Sequence, residues 1–280
     1  MISRIKIFSK ALKHITSGLL FLVGAVFFCI ACNLTEKKDK NETNPPLAGT
    51  KPLFEFTDRI VNVSGIAKTT GEFSIYISYP VFSSDSVDVT KLIEHVMKQI
   101  GDRDAGDFDY LLTKENKYDV QAFADGILDS WVTFEEPAFI GSIYDSLFIK
   151  VVLNTDLITL YKRHKGFWGG AHGDESIEYT MFDRDFHIIK SYDIILPNRR
   201  DRFKKLLEKE FNRQLKDDLR KGYPDKSNPV FFVLVPDGMI VQYMGECYAD
   251  GNPLMLIKPE KFMDFIKPQY RKIYTQNARK

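Results

Sequence analysis

Apolar and polar positions alternate with a period of two around Phe73, Ile75, Ile77 and Tyr79, with Ser74, Tyr76 and Ser78 between them. This is the pattern of a half-buried strand, and Pro80 ends it. The period then lengthens. Leu92, Ile93, Val96, Met97 and Ile100 form one stripe at helical spacing, between Asp88, which can cap a helix, and Gly101. Residues 108–131 carry a sparser helical stripe (Tyr118, Phe123, Ile127, Trp131) that Gly126 interrupts. From Ser142 the chain reads as strands again. Residues 142–153 and 157–165 flank the short connection Asn154-Thr155-Asp156, and strands over 176–182 and 186–190 follow.

The next apolar stripe is helical: Phe203, Leu206, Leu207, Phe211, Leu215 and Leu219, stopped by Gly222 and Pro224. Asn198 is placed to cap this helix, with Asp201 in its third position near the free amides of the first turn. Arg199, Arg200, Lys204, Lys205 and Arg213 are offset by Glu208, Glu210, Asp217 and Asp218, which predicts a solvated outer face. Asp237-Gly238 between 230–235 and 239–243 predicts a hairpin. A strand over 254–257 and a short helix over 259–266 complete the pattern. Strands, then helix, then strands, without βαβ alternation, predict an α+β fold of antiparallel sheets with packed helices. Two subdomains are expected, at 53–140 and 141–268. The supply of 22 Phe and 13 Tyr suits the strands.

The first 31 residues have a different character. Arg4, Lys6, Lys10 and Lys13 lead, without an acid, into an apolar run over 19–31 that closes at Cys29-Ile30-Ala31-Cys32. A basic lead, an apolar core of roughly 7–15 residues and a small-residue exit form a bacterial secretion signal. The run is shorter than the roughly 20 residues that cross a bilayer. Ala31 before Cys32 resembles a lipoprotein signal, with Cys32 the lipid-bearing residue after cleavage. The expected address is therefore the cell envelope, with the protein held to a bacterial membrane through its N-terminal lipid. Residues 32–52 are polar and punctuated by Pro and Gly, as in a flexible tether. Cleavage leaves 249 of 280 residues and takes the formal charge from +1 to −3, because four cations and no acids depart. A mildly acidic chain has no electrostatic footprint for nucleic acid. Cys247 is then the only thiol besides the lipidated one, so no disulfide closes within the mature chain.

A string of motifs begins at Tyr161 and Gly169-Gly170-Ala171-His172-Gly173. It continues through Tyr179, Tyr192-Asp193-Ile194-Ile195-Leu196, Pro236-Asp237-Gly238 and Tyr248-Ala249-Asp250-Gly251. In order and spacing it resembles a bacterial extracytoplasmic family of unknown function. That family includes the outer part of the lysozyme-sensing anti-sigma factor RsiV and the non-catalytic N-terminal region of the peptidoglycan deacetylase PdaC. The strand ending at Pro80 and the helix after Asp88 are similar to the companion domain that precedes it. The resemblance spans roughly residues 55–266 and implies an α+β envelope module, used in some members to bind a wall component or a wall-attacking enzyme such as lysozyme. Members commonly carry a Gly in the turn where this chain has Asp183-Arg184-Asp185-Phe186, and nothing matches the deacetylase catalytic domain.

Candidate chemistry concentrates in 161–174. Gly169 and Gly170 permit positive φ and close approach of a ligand or backbone. Trp168 offers a flat face for a sugar ring or a partner's side chain. With His172 and Asp174 these form the candidate binding surface; the same glycines equally suit a bulge between strands. His164 and His172 with Asp174 or Glu175 supply metal-ligand types, but their spacing fits no single helix and no metal or other cofactor is expected. There is no Gly-x-Ser-x-Gly elbow and no phosphate-cradling loop. The expectation is a non-enzymatic binding module. The alternative is a wall-modifying hydrolase or deacetylase using His172 and Asp174.

Overall fold

A computed structural model describes residues 52–67, 71–101, 118–133, 142–167, 173–215, 229–243 and 253–275, all within the compact unit Pro46–Lys280. Residues 1–51, where the signal, the lipidated Cys32 and the tether are expected, and Cys247 lie outside the described residues. Six strands form the first sheet in chain order: β1 (Glu55–Ala67), β2 (Gly71–Ser83), β3 (Ile143–Asn154), β4 (Ile158–Phe167), β5 (Asp174–Phe182) and β6 (Ile188–Ile189). Neighbours are antiparallel except β2 and β3, which are parallel. A parallel neighbour needs a long crossover. Here the chain between β2 and β3 carries two helices, α1 (Thr90–Gly101) and α2 (Val120–Thr133). The sheet thus draws on chain both before and after residue 140.

The helices cover one face. Val61 and Val63 of β1, Ile75 and Ile77 of β2, and Leu147 and Ile149 of β3 bury against Leu92, Val96 and Ile100 of α1 and Phe123 of α2. Asp88 accepts from the Thr90 amide at 3.0 Å and from its hydroxyl at 2.6 Å, which starts α1 as expected. Those bonds hold its carboxyl below the usual range. At the start of α2, Asp119 accepts from the Ala122 amide at 3.0 Å. Strand β1 was not legible in the sequence. It is an edge strand whose outward positions are polar apart from Ile60 and Ile66, so only Val61 and Val63 alternate as a core strand would.

The second sheet is β7 (Pro229–Val235), β8 (Gly238–Tyr243) and β9 (Leu254–Ile257), backed by α3 (Arg200–Gln214), α4 (Pro259–Phe262) and α5 (Pro268–Thr275). Its core joins Phe203, Leu207 and Phe211 to Phe232, Val241, Tyr243, Phe262 and Tyr274. The β7–β8 turn is the predicted hairpin. Gly238 takes φ 149°, and a Cβ there would stand 2.2 Å from the Ile257 carbonyl oxygen, so glycine is required. The buried Tyr274 hydroxyl reaches the Gly238 and Val235 carbonyls at 2.6 and 2.9 Å and fastens α5 to this turn. The two sheets meet where the Thr159 hydroxyl donates to the Leu234 carbonyl at 2.8 Å.

The fold is α+β with two sheets, and several local expectations are corrected. A 3₁₀ turn at Pro197–Arg199 precedes α3, so Asn198 does not cap it and no side chain does; Asp201 lies in its first turn. Glu210 is not on a solvated face: its side chain is 2 % exposed and is held by Lys261 at 2.6 Å, Arg213 at 2.7 Å and Gln214 at 3.2 Å. Helix α2 begins at Val120, and Gly126 does not break it. The strand expected over 186–190 shrinks to Ile188–Ile189, because Phe186 turns the chain at φ 60°. Helix α4 ends at Phe262 rather than at Ile266, and α5 follows, where no element was foreseen.

Candidate functional site

β4 and β5 carry the chain into and out of the Gly-Gly-Ala-His string. Trp168, Gly169, Gly170, Ala171 and His172 lie outside the described residues; Gly173 and Asp174 lie within them. Gly166 faces Asp174 across the ladder, and a Cβ on Gly173 would come within 2.6 Å of the Gly166 carbonyl oxygen. Close backbone approach thus applies at Gly173, while the roles expected of Gly169 and Gly170 fall outside the described residues. Asp174 is exposed.

Strand register sorts the remaining polar residues by face. His164 lies on the helix-covered side, with Leu147 opposite it. Its Nε2 is 2.6 Å from Oδ1 of Asp145, whose side chain is 2 % exposed against 28 % for His164. A buried carboxylate thus orients an imidazole that reaches the surface. Arg163 and Glu175 share the other face and pair at 2.9 Å. The set His164 with Glu175 is therefore split between two sides of the sheet, whereas Asp174 shares the side of His164. Asp145 was missed in the sequence, although its phase with Leu147 and Ile149 was the available signal: an acid at a core position.

The turn after β5 gathers Asp183, Asp185 and His187, whose ligand-type atoms lie within 4.8 Å of one another. Asp183 Oδ1 accepts from the Asp185 and His187 amides at 2.9 and 2.8 Å, so this carboxylate builds the turn. Phe186 occupies the left-handed position where a glycine was expected, and its ring is buried 6.2 Å from that of Phe54.

The side of the sheet opposite α1 and α2 is aromatic. Tyr76 meets Phe148 with ring centroids 5.0 Å apart, Tyr144 meets Phe167 at 6.1 Å, and Tyr161 meets Tyr179 at 5.2 Å. All six are half-buried. The row continues across to the second sheet, where Phe231 lies 6.0 Å from Tyr179. There it opens into a cleft of about 640 Å³.

Five segments build that cleft: His95 of α1, the end of β5, the stretch from β6 into the 3₁₀ turn Ser191–Ile194, strand β7 and the first residue of α3. Tyr179, Tyr192 and Phe231 supply rings, and Met181, Ile189 and Val233 supply apolar surface. Burial pushes the Tyr179 hydroxyl up to about 12, so it stays a neutral donor. Ser191 is oriented by accepting from the Phe232 amide at 3.0 Å. Arg200 lies over the Tyr192 ring at 5.8 Å and donates to the Tyr192 carbonyl at 3.2 Å, so its fork is fixed at the rim. Sequence reading assigned Arg200 to a solvated helix face and noted Tyr179 and Tyr192 only as motif positions; the cleft needs both sheets and has no contiguous signature.

No family model matches the chain, and no curated protein does. Among solved structures, the chain is similar to a DUF3298 family protein from Pseudomonas aeruginosa, at 16 % identity and a TM-score of 0.53, covering 76 % of this chain and 95 % of that one. It is also similar to a DUF3298 member from Bacteroides fragilis, at 17 % identity and a TM-score of 0.55, covering 82 % and 100 %. The fold is that of the DUF3298 proteins. At such identities the likeness defines the architecture, and the DUF3298 fold by itself assigns no ligand to the cleft or to the β4–β5 end.

Proposed function

We propose that this protein is a lipid-anchored, non-enzymatic binding module of the bacterial envelope that recognises a cell-wall component or a wall-attacking enzyme of the lysozyme type. The observation that carries this reading is the cleft at the end of the aromatic sheet face. Its volume lies within the roughly 300–1,000 Å³ of small-ligand sites, and it combines apolar walls with few, oriented polar groups. The secretion signal ending at Ala31-Cys32 and the resemblance to RsiV and the N-terminal region of PdaC support the address and the ligand class. Isothermal titration of the protein with peptidoglycan fragments and with a lysozyme-type muramidase is the test. Heat from either supports the reading, and silence from both removes it. Mass spectrometry of native material tests the anchor: a diacylated Cys32 as first residue is expected, and an intact Met1 would overturn it.

A second reading is a wall-modifying hydrolase or deacetylase that uses His172 and Asp174, favoured by the nearby pairing of Asp145 with His164. An oriented imidazole is what a general base requires, and it stands on the side of the sheet that also carries Asp174. Stoichiometric zinc in the purified protein, lost in His172→Ala, would favour the hydrolase or deacetylase over the binding module.

A further inference from the structure

We infer that the cleft between the two sheets takes an acidic saccharide, its carboxylate held by Arg200 and its sugar rings by Tyr179, Tyr192 and Phe231. This rests on the reading of the protein as an envelope binding module and names the ligand of its site. Two cations line the cleft, Lys190 and Arg200, and among the described residues neither has a carboxylate within ion-pair distance. Asp193 is the single acid in the lining, so the charge of the wall is in excess by one cation. Arg200 spends one of its N–H groups on the Tyr192 carbonyl, and its guanidinium carbon lies 5.8 Å from the centre of that ring. A guanidinium held this way offers a fork matched to a carboxylate.

The walls select the remainder of the ligand. Tyr179 and Phe231 are tilted by 57° at 6.0 Å, an open corner rather than a parallel slot, so they present separate faces to successive rings. The C–H faces of sugars lie on such aromatic platforms. The Arg200 fork also matches a phosphate, so a nucleotide is the competing ligand that the test below includes. Ser191, Thr180 and the protonated Tyr179 hydroxyl provide the neutral donors and acceptors that hydroxyl-rich ligands require.

Titration calorimetry on the full chain in detergent tests this with four probes: the disaccharide N-acetylglucosaminyl-N-acetylmuramic acid, neutral N,N′-diacetylchitobiose, ATP and a muramidase. The acidic disaccharide should bind about tenfold more tightly than the neutral one, the effect of one charge-assisted pair. Arg200→Ala should remove that preference, bringing the two saccharides to equal affinity, and Phe231→Ala should weaken both. Equal affinity of the wild type for the two saccharides, insensitivity to Arg200→Ala, or tighter binding of ATP overturns the inference and leaves the binding module standing. Binding of the muramidase alone has the same consequence. Silence from all four probes removes both readings.

Discussion

Replacing Glu210 by Gln should lower stability at neutral pH and erase one component of acid denaturation. Burial alone would raise the Glu210 carboxyl, but hydrogen bonds from Lys261, Arg213 and Gln214 outweigh it and hold the group down at about 2, against 4.5 in a free side chain. Each unit is worth about 1.4 kcal/mol, so the linkage amounts to about 3 kcal/mol. The carboxylate is 2 % exposed, so solvent screens it little; Lys261 and Arg213 are 35 % and 57 % exposed, which makes this figure an upper bound. The folded-state value is depressed, so the stabilisation is complete above pH 4.5 and drains away as pH falls toward 2. Urea unfolding at pH 7, 4.5, 3.5 and 2.5 measures it. Wild type minus Glu210→Gln should be about 2 to 3 kcal/mol at pH 7 and shrink steadily below pH 4.5, because the glutamine variant has no proton to bind there. A constant difference across that range would refute the reasoning, as would a variant equal to wild type at pH 7.

Gly126→Ala should stabilise the protein by about 1 kcal/mol, because an added Cβ at this mid-helix position meets nothing within 4 Å; a thermal melt with no upward shift would contradict it. Gly238→Ala should cost at least about 2 kcal/mol, since the backbone at φ 149° and the Ile257 carbonyl at 2.2 Å both oppose a side chain. Phe186→Ala and Phe186→Gly should both destabilise through loss of the buried ring, by about 3 kcal/mol or more. Of the two, the glycine variant should be the more stable by about 1 kcal/mol, because φ 60° is free of penalty only for glycine; the reverse order in urea midpoints would remove the argument.

What could be read from the sequence follows from how local each signal is. Strand β2, helix α1 and the β7–β8 hairpin carry their period and their turn residues within a dozen positions, and all three form, although β2 runs on through Pro80 to Ser83 instead of ending at the proline. Strand β1 escaped because an edge strand with a polar outer side shows little alternation. Glu210 escaped because helix periodicity places it among charged neighbours, while its burial comes from Lys261, 51 residues later. The parallel pairing of β2 with β3 depends on how two helices cross over, which no period encodes. The same limit governs the site. Asp174 and the glycines were conspicuous as a motif, yet Asp145 and the cleft arise from register between strands and from the meeting of two sheets.

Backbone-amide NMR of the protein titrated with soluble peptidoglycan fragments tests the binding reading most directly, because it reports affinity and location together. Saturable shifts clustered at Tyr179, Ser191, Tyr192 and Arg200 are expected. A spectrum in which those amides stay still at saturating fragment, whether or not others move, would contradict the assignment of the cleft as the place where this protein meets its ligand.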